Sequence, residues 1–309
     1  MAVQKLMEIR QEVSRIIKGK DDVIVKILAS ILAEGHILME DIPGVGKTTL
    51  ATTFAKTMSL SYHRVQFTPD VLPSDLLGFS MYDKEAGKFV FRKGAVFCNL
   101  FLADEINRTS PKTQSALLEV MEERQASVEG KTWKLPEPFV VIATQNPSGA
   151  SGTQLLPESQ MDRFMVRISM GYPAHDDAVE ILKNEVWEQL DTVSKVMELE
   201  ELTALQEQTK KIFVHESLYD YMVSIVEKTR AHEYFIGGAS PRGTIALLRM
   251  SRAMAMLEGR DFVTAEDIQK VVPDVLGHRV KISTRAAAEG KKVDGCLKHI
   301  LMEVPAPRI

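Results

Sequence analysis

The run His36-Ile37-Leu38-Met39, followed by Glu40-Asp41-Ile42-Pro43-Gly44-Val45-Gly46-Lys47-Thr48-Thr49-Leu50, leaves this chain few choices. It reads as a buried strand, a turn carrying two glycines and the start of a helix. In that order the three pieces aim successive backbone N–H groups and the positive end of a helix at one point, which is how a protein holds a phosphate chain. The general phosphate-loop pattern is G-x-x-x-x-G-K-[ST]; Gly46, Lys47 and Thr48 meet its second half, while Asp41 stands where the first glycine is expected. Gly44 and Gly46 still offer backbone without a side chain, Lys47 can neutralise β- and γ-phosphates, and the Thr48 hydroxyl can ligate Mg²⁺. The expected nucleotide contacts are therefore Pro43, Gly44, Val45, Gly46, Lys47, Thr48 and Thr49.

A chain of 309 residues is long enough for about two domains, and 45% hydrophobic with 26% charged residues excludes disordered and fibrous classes. The formal net charge of -4 argues against a general nucleic-acid surface, so no nucleic-acid partner is expected. The N-terminal residues mix charges into their apolar positions and lack a secretory signal's unbroken core. Lys26 and Glu34 interrupt the longest apolar region, Val23 to Met39, so no membrane span is expected either. Two cysteines far apart, Cys98 and Cys296, suit a reducing compartment. Together these features predict a cytoplasmic protein.

Apolar spacing predicts helices over Leu6–Ile17 and Asp21–Ala33 ahead of the phosphate loop, and a helix over Thr49–Met58 behind it. Ser61–Phe67, Asn99–Ala103, Phe139–Thr144 and Phe164–Met170 read as further strands. Continuous apolar runs of this length, separated by helices, imply a parallel sheet covered on both faces. Ser110-Pro111 is a helix start, with Ser as N-cap and Pro at the first helical position, and that helix should run to about Glu123. Two hairpins are expected between core elements, one over Met81–Phe97 and a smaller one around Gly130. After Gly171-Tyr172-Pro173 the patterning turns helical. The predicted division is 1–185, an αβα core with hairpin insertions, and 186–309, an all-helical domain.

A phosphate loop needs a metal-holding carboxylate at the end of a neighbouring strand, and Leu100-Phe101-Leu102-Ala103-Asp104-Glu105 provides it. Asp104 belongs with Thr48 in a Mg²⁺ shell, and Glu105, past the strand end, is placed to polarise a water against the γ-phosphate. Asn146, ending another strand before Pro147, can orient that water or bond the phosphate; as a turn former it has a purely structural explanation too. The seven histidines include no H-E-x-x-H arrangement, so no zinc site is inferred.

With these elements in place the chain resembles the MoxR family of AAA+ ATPases. The matching stretches are Glu40 to Thr48, Leu102 to Arg108, Ala143 to Pro147, Leu156 to Phe164, Ser240 to Arg242 and Val272 to Arg279. The resemblance implies an αβα AAA+ P-loop NTPase core followed by a smaller helical lid, and it makes Asp41 an expected spelling of the loop. It assigns Arg163 as an arginine finger reaching the ATP of the next subunit, a contribution of roughly 10³–10⁵ in rate. A surface ion pair with Asp162 or Glu158 also accounts for Arg163 when it is taken alone. Arg242 matches the lid arginine called sensor 2, with its action within the subunit or across the interface left open, as is the role of Arg108. Adenine should lie against Ile16, Ile17 and Gly19.

What the resemblance implies about function is a Mg²⁺-dependent ATPase assembled as a homo-oligomer, a hexameric ring. Such a ring would remodel, mature or insert metal into partner proteins, often with a partner bearing a von Willebrand factor A domain. A nucleotide-dependent assembly switch with little turnover is the alternative.

Overall fold

The computed structural model describes residues 2–85, 87–146, 156–183 and 186–308. Five parallel strands form one sheet in the spatial order Tyr62–Gln66, Leu100–Asp104, Val140–Gln145, Ile37–Glu40 and Val166–Ile168. The expected apolar runs are its buried strands: Val140–Gln145 is buried at every position and Leu100–Asp104 at all but the last.

Alternate residues along each strand feed two separate apolar clusters, as the two-residue period of a strand requires. Ile37, Met39, Leu100, Leu102, Val140 and Ile142 pack with the helices Ala2–Ile16, Asp21–Leu32 and Lys47–Thr57. Leu38, Phe101, Ala103, Val141 and Ala143 face the other way, onto Leu117, Leu118 and Met121 of the helix Pro111–Glu123. The result is the three-layer αβα arrangement expected. The Ser110 hydroxyl accepts the Thr113 N–H at the start of that last helix, so the Ser-Pro start signal works as read.

Beyond the sheet, the helices Leu199–Lys210, Glu216–Ala231, Pro241–Leu257 and Ala265–Leu276 belong to the first cluster too, so one apolar core continues from the sheet into the lid. The lid is not entirely helical. Phe235–Gly237 pairs antiparallel with Lys281–Ile282, segments too short for alternation to be read from sequence. The helix Val293–Glu303 closes the chain.

Both hairpins are present, Gly78–Asp83 with Lys88–Lys93 and Gln125–Val128 with Lys131–Lys134. Phe91 of the first stacks on Trp133 of the second, with ring centroids 4.3 Å apart and planes 8° from parallel, which joins the two insertions.

Candidate active site

Register decides what meets at the carboxyl ends of the strands. Gln66 pairs with Asp104, Ala103 with Ala143 and Glu40 with Gln145, so Asp41, Asp104, Glu105 and Asn146 come to one edge of the sheet. In an open parallel sheet this edge is where ligands bind. A cavity of about 400 Å³ lies there, lined by Pro43, Gly44, Gly46, Lys47, Thr48 and Thr49 from the loop and by Arg64, Gln66, Asp104, Glu105, Thr144 and Asn146 from the strand ends.

Asp41 explains its own presence in the loop. It is buried, and its carboxylate accepts the Ser169 hydroxyl at 2.9 Å, the Gly171 N–H at 3.0 Å and the Met170 N–H. The chain leaving the last strand is thereby tied to the chain entering the loop, a task a glycine cannot perform. The glycines do the complementary work. Gly44 and Gly46 take φ of +85° and +93°, values that side chains avoid, and an added Cβ at either would meet nothing within 4 Å. The loop is therefore an open cradle of backbone. Gly46 precedes the helix Lys47–Thr57, whose first N–H groups close that cradle.

Lys47 Nζ donates to the carbonyls of Asp41 at 3.1 Å and Ile42 at 3.2 Å, oxygens that stand where phosphate oxygens would compete. Burial pulls its pKa below the ordinary lysine value, and the carboxylates of Asp41, Asp104 and Glu105 act against that fall.

The acids are held by residues that sequence reasoning did not find. Thr144 Oγ donates to Asp104 Oδ1 at 2.7 Å and accepts the Glu105 N–H at 2.9 Å, so one hydroxyl orients both. Arg64 Nη2 pairs with Asp104 Oδ2 at 2.7 Å. Gln66 Nε2 and Arg108 Nη1 both donate to Glu105 Oε2, at 2.8 and 2.7 Å, which gives Arg108 its place. Glu105 itself sits at φ +58°, ψ +48°, a left-handed conformation that is strained for a residue with a side chain and characteristic of working positions. The Asn146 carbonyl accepts from Asn107 Nδ2 at 3.4 Å; Pro147 lies outside the described residues.

Thr48 and Asp104 offer only hard oxygen donors, the set that suits Mg²⁺. A different grouping, His232, His299 and Glu303, brings its ligand atoms within 4.8 Å of one another. There, however, Lys228 Nζ sits 2.8 Å from Glu303, and His232 Nδ1 accepts the Tyr234 N–H, leaving the ring proton on the nitrogen that a metal would need. Cys98 is buried and its thiol is pushed up to about 12, so it is no nucleophile.

Four expected contacts do not line the cavity. Val45 packs against the apolar core, Ile16 and Ile17 are buried, and Gly19 turns beside Asp177, whose carboxylate would clash with any Cβ there. Arg163 and Arg242 are also elsewhere, but together. Arg163 Nε lies 3.2 Å from Glu122 Oε2, and Arg242 Nη2 donates to Glu122 Oε1. They line a second cavity of about 330 Å³ with His36, Asp162, Arg249 and Arg279. The paired acid is Glu122, not the local Asp162 or Glu158. His36 precedes the strand Ile37–Glu40 and Asp41 follows it, so the two cavities sit at opposite ends of the sheet, about 16 Å apart along an extended chain.

Comparison with known proteins identifies the family. The profile of the ATPase family associated with various cellular activities (AAA) matches residues 36–166, and that of the AAA lid domain matches residues 227–299. The chain is 38% identical to Chaperone MoxR1 of Mycobacterium tuberculosis, over 96% of this chain and 81% of that protein. It is 43% identical to the uncharacterized protein YeaC of Bacillus subtilis, over 96% and 93% of the two chains. A crystal structure of a "putative ATPase" from Cytophaga hutchinsonii superposes with a TM-score of 0.92 at 39% identity, covering 99% of this chain and 96% of that one.

Proposed function

The chain belongs to the MoxR family of AAA+ ATPases, and from that premise we propose that it binds ATP with Mg²⁺ and hydrolyses it in a ring of identical subunits. The observation that carries this reading is the meeting of Lys47, Thr48, Asp104, Glu105 and Asn146 in one cavity under an open glycine cradle. The backbone N–H groups of the loop and Lys47 take the phosphates, and Thr48 and Asp104 hold the Mg²⁺ that offsets their charge. Glu105, fixed by Gln66 and Arg108, receives the proton of the attacking water, while Asn146 orients that water.

Arg163 and Arg242 complete the site of a neighbouring copy. Both stand at the end of the sheet away from their own phosphate loop, beyond the reach of a side chain, and both bond the same carboxylate. This supports an interface role for Arg242 as well as for Arg163. Each subunit then binds nucleotide on one face and offers arginines on the other, the head-to-tail arrangement that closes into rings; by family resemblance the ring is a hexamer. Its work is chaperone-like remodelling, maturation or metal insertion in a client, with a von Willebrand factor A domain protein as one class of partner, in the cytoplasm. We place the core–lid division at 185/186, with adenine against Ile16, Ile17 and Gly19.

The test is steady-state phosphate release by the Glu105→Gln protein beside a fluorescent-nucleotide titration. Binding should persist while turnover falls by roughly 10²–10⁴-fold. An unchanged rate removes Glu105 from the mechanism, and absent turnover in the unaltered protein favours the assembly-switch reading.

A further inference from the structure

Glu122 lies in the last turn of the helix Pro111–Glu123, far from the phosphate loop, and it is ion-paired with two arginines at once. The way it does so is informative. Arg163 approaches one carboxylate oxygen through its Nε, Arg242 donates to the other through its Nη2, and both side chains are partly exposed, each guanidinium carrying five N–H donors in all. Two guanidinium groups brought side by side repel one another; a single carboxylate between them removes most of that cost and leaves the trio net positive.

A second tie moves with the first. Asp162, next to Arg163, accepts the Ser240 hydroxyl at 2.8 Å, and Ser240 caps the helix that carries Arg242. Asp162 also accepts Arg279 Nε at 2.8 Å, and the nearly buried Arg279 reaches the carbonyls of Phe164 and Met165. Core and lid are thus pinned together beside the arginines, and among the described residues Glu122 is the one acid paired with both Arg163 and Arg242. Its side chain is partly exposed, at 39%, so the trio faces solvent or a neighbour. An isolated surface ion pair contributes little, but an acid shared between two functional cations sets their geometry.

We propose that Glu122 is a positioning residue that presents Arg163 and Arg242 as one anion-binding pair to the nucleotide of the adjacent copy of this chain. The proposal rests on the reading of the site given above. Glu122 would touch neither substrate nor metal; it acts through the two arginines.

Misplacing both cations should lower kcat by about tenfold to hundredfold in Glu122→Ala. KM should be nearly unchanged, because the binding loop is intact. Glu122→Asp, which keeps the charge on a shorter arm, should recover part of the rate, and Glu122→Gln should not. The deciding measurement mixes Glu122→Ala with Glu105→Gln subunits in equal amounts before nucleotide is added. A working site needs Glu105 from one subunit and Glu122 from the next, so two nearly inactive proteins should together regain about a quarter of the unaltered rate. Arg163→Ala mixed with Glu105→Gln runs in parallel. If that pair recovers and the Glu122 pair does not, Glu122 acts within its own subunit or only in folding, and the proposal is overturned. Full kcat in Glu122→Ala overturns it as well. If the unaltered protein has no turnover, or Arg163→Ala keeps full turnover, the reading of the site fails and takes the proposal with it.

Discussion

Replacing Asp41 by glycine would give the phosphate loop its general spelling, and a motif argument expects such a change to be harmless or helpful. The structure predicts the opposite. Asp41 accepts the N–H groups of Met170 and Gly171 and the hydroxyl of Ser169, in a buried setting. The hydroxyl can turn to another acceptor, but two backbone donors left without partners cost about 1–3 kcal/mol each. Glycine's extra freedom in the unfolded chain adds up to about 1 kcal/mol. Removing a carboxylate from a buried position offsets part of this, which leaves a net loss of about 3 kcal/mol. At about 2–4 °C per kcal/mol for chains approaching this size, the melting temperature should fall by about 6–12 °C. Asp41→Asn keeps one acceptor oxygen and should fall about half as far. Nucleotide affinity should drop in step, since the loop loses its anchor to the chain leaving the last strand. Thermal melts without nucleotide and a fluorescent-nucleotide titration measure the two effects. A glycine variant that melts within about a degree of the unaltered protein would refute the anchoring role.

Two further outcomes are expected. Thr144→Val keeps the shape but removes the hydroxyl that joins the Glu105 N–H to Asp104; it should cost about 1–3 kcal/mol in urea unfolding and lower turnover more than ATP affinity, and unchanged values for both would sink the idea. Stability should also fall in mild acid. His36 is buried, with one ring nitrogen on the Met121 carbonyl and the other accepting the Val141 N–H, and burial pushes its pKa down to about 4; burial lowers His278 too. Between about pH 6.5 and 4 the unfolded chain takes up a proton at His36 that the folded chain refuses, so stability is lost as pH falls through that window, by about 3 kcal/mol at most from His36 alone. A urea midpoint that does not decline from pH 7 to 5, or a decline that His36→Asn leaves equally steep, would contradict the assignment.

What the sequence made legible was whatever a contiguous stretch encodes. Gly46-Lys47-Thr48 and Asp104-Glu105 carry their context with them, as does the Ser110-Pro111 start of a helix that ends at Glu123, where spacing placed it. Lateral neighbours were hidden. Gln66 and Arg64 hold the two acids only because their strand lies beside Leu100–Asp104 in a register that no local pattern specifies. Arg163 was weighed against nearby acids, whereas its partner comes from the helix Pro111–Glu123, distant in sequence. Thr144 looked like one more residue of a buried strand until its hydroxyl was seen between Glu105 and Asp104. The antiparallel pair in the lid escaped because three residues against two leave no period to detect.

The placement of the loop and the arginines at opposite ends of one sheet has an arithmetic consequence. If the arginines complete a neighbour's site as proposed, an open row of n subunits holds n nucleotide pockets but only n − 1 junctions, so one pocket lacks its arginines. Turnover per subunit should then follow (n − 1)/n: none for a single chain, half the full value for a pair, and the whole only when the row closes on itself. Closure becomes the event that switches on the last site. Specific activity measured against protein concentration would count junctions, and a lone subunit working at the full rate would show that each pocket needs nothing from its neighbour.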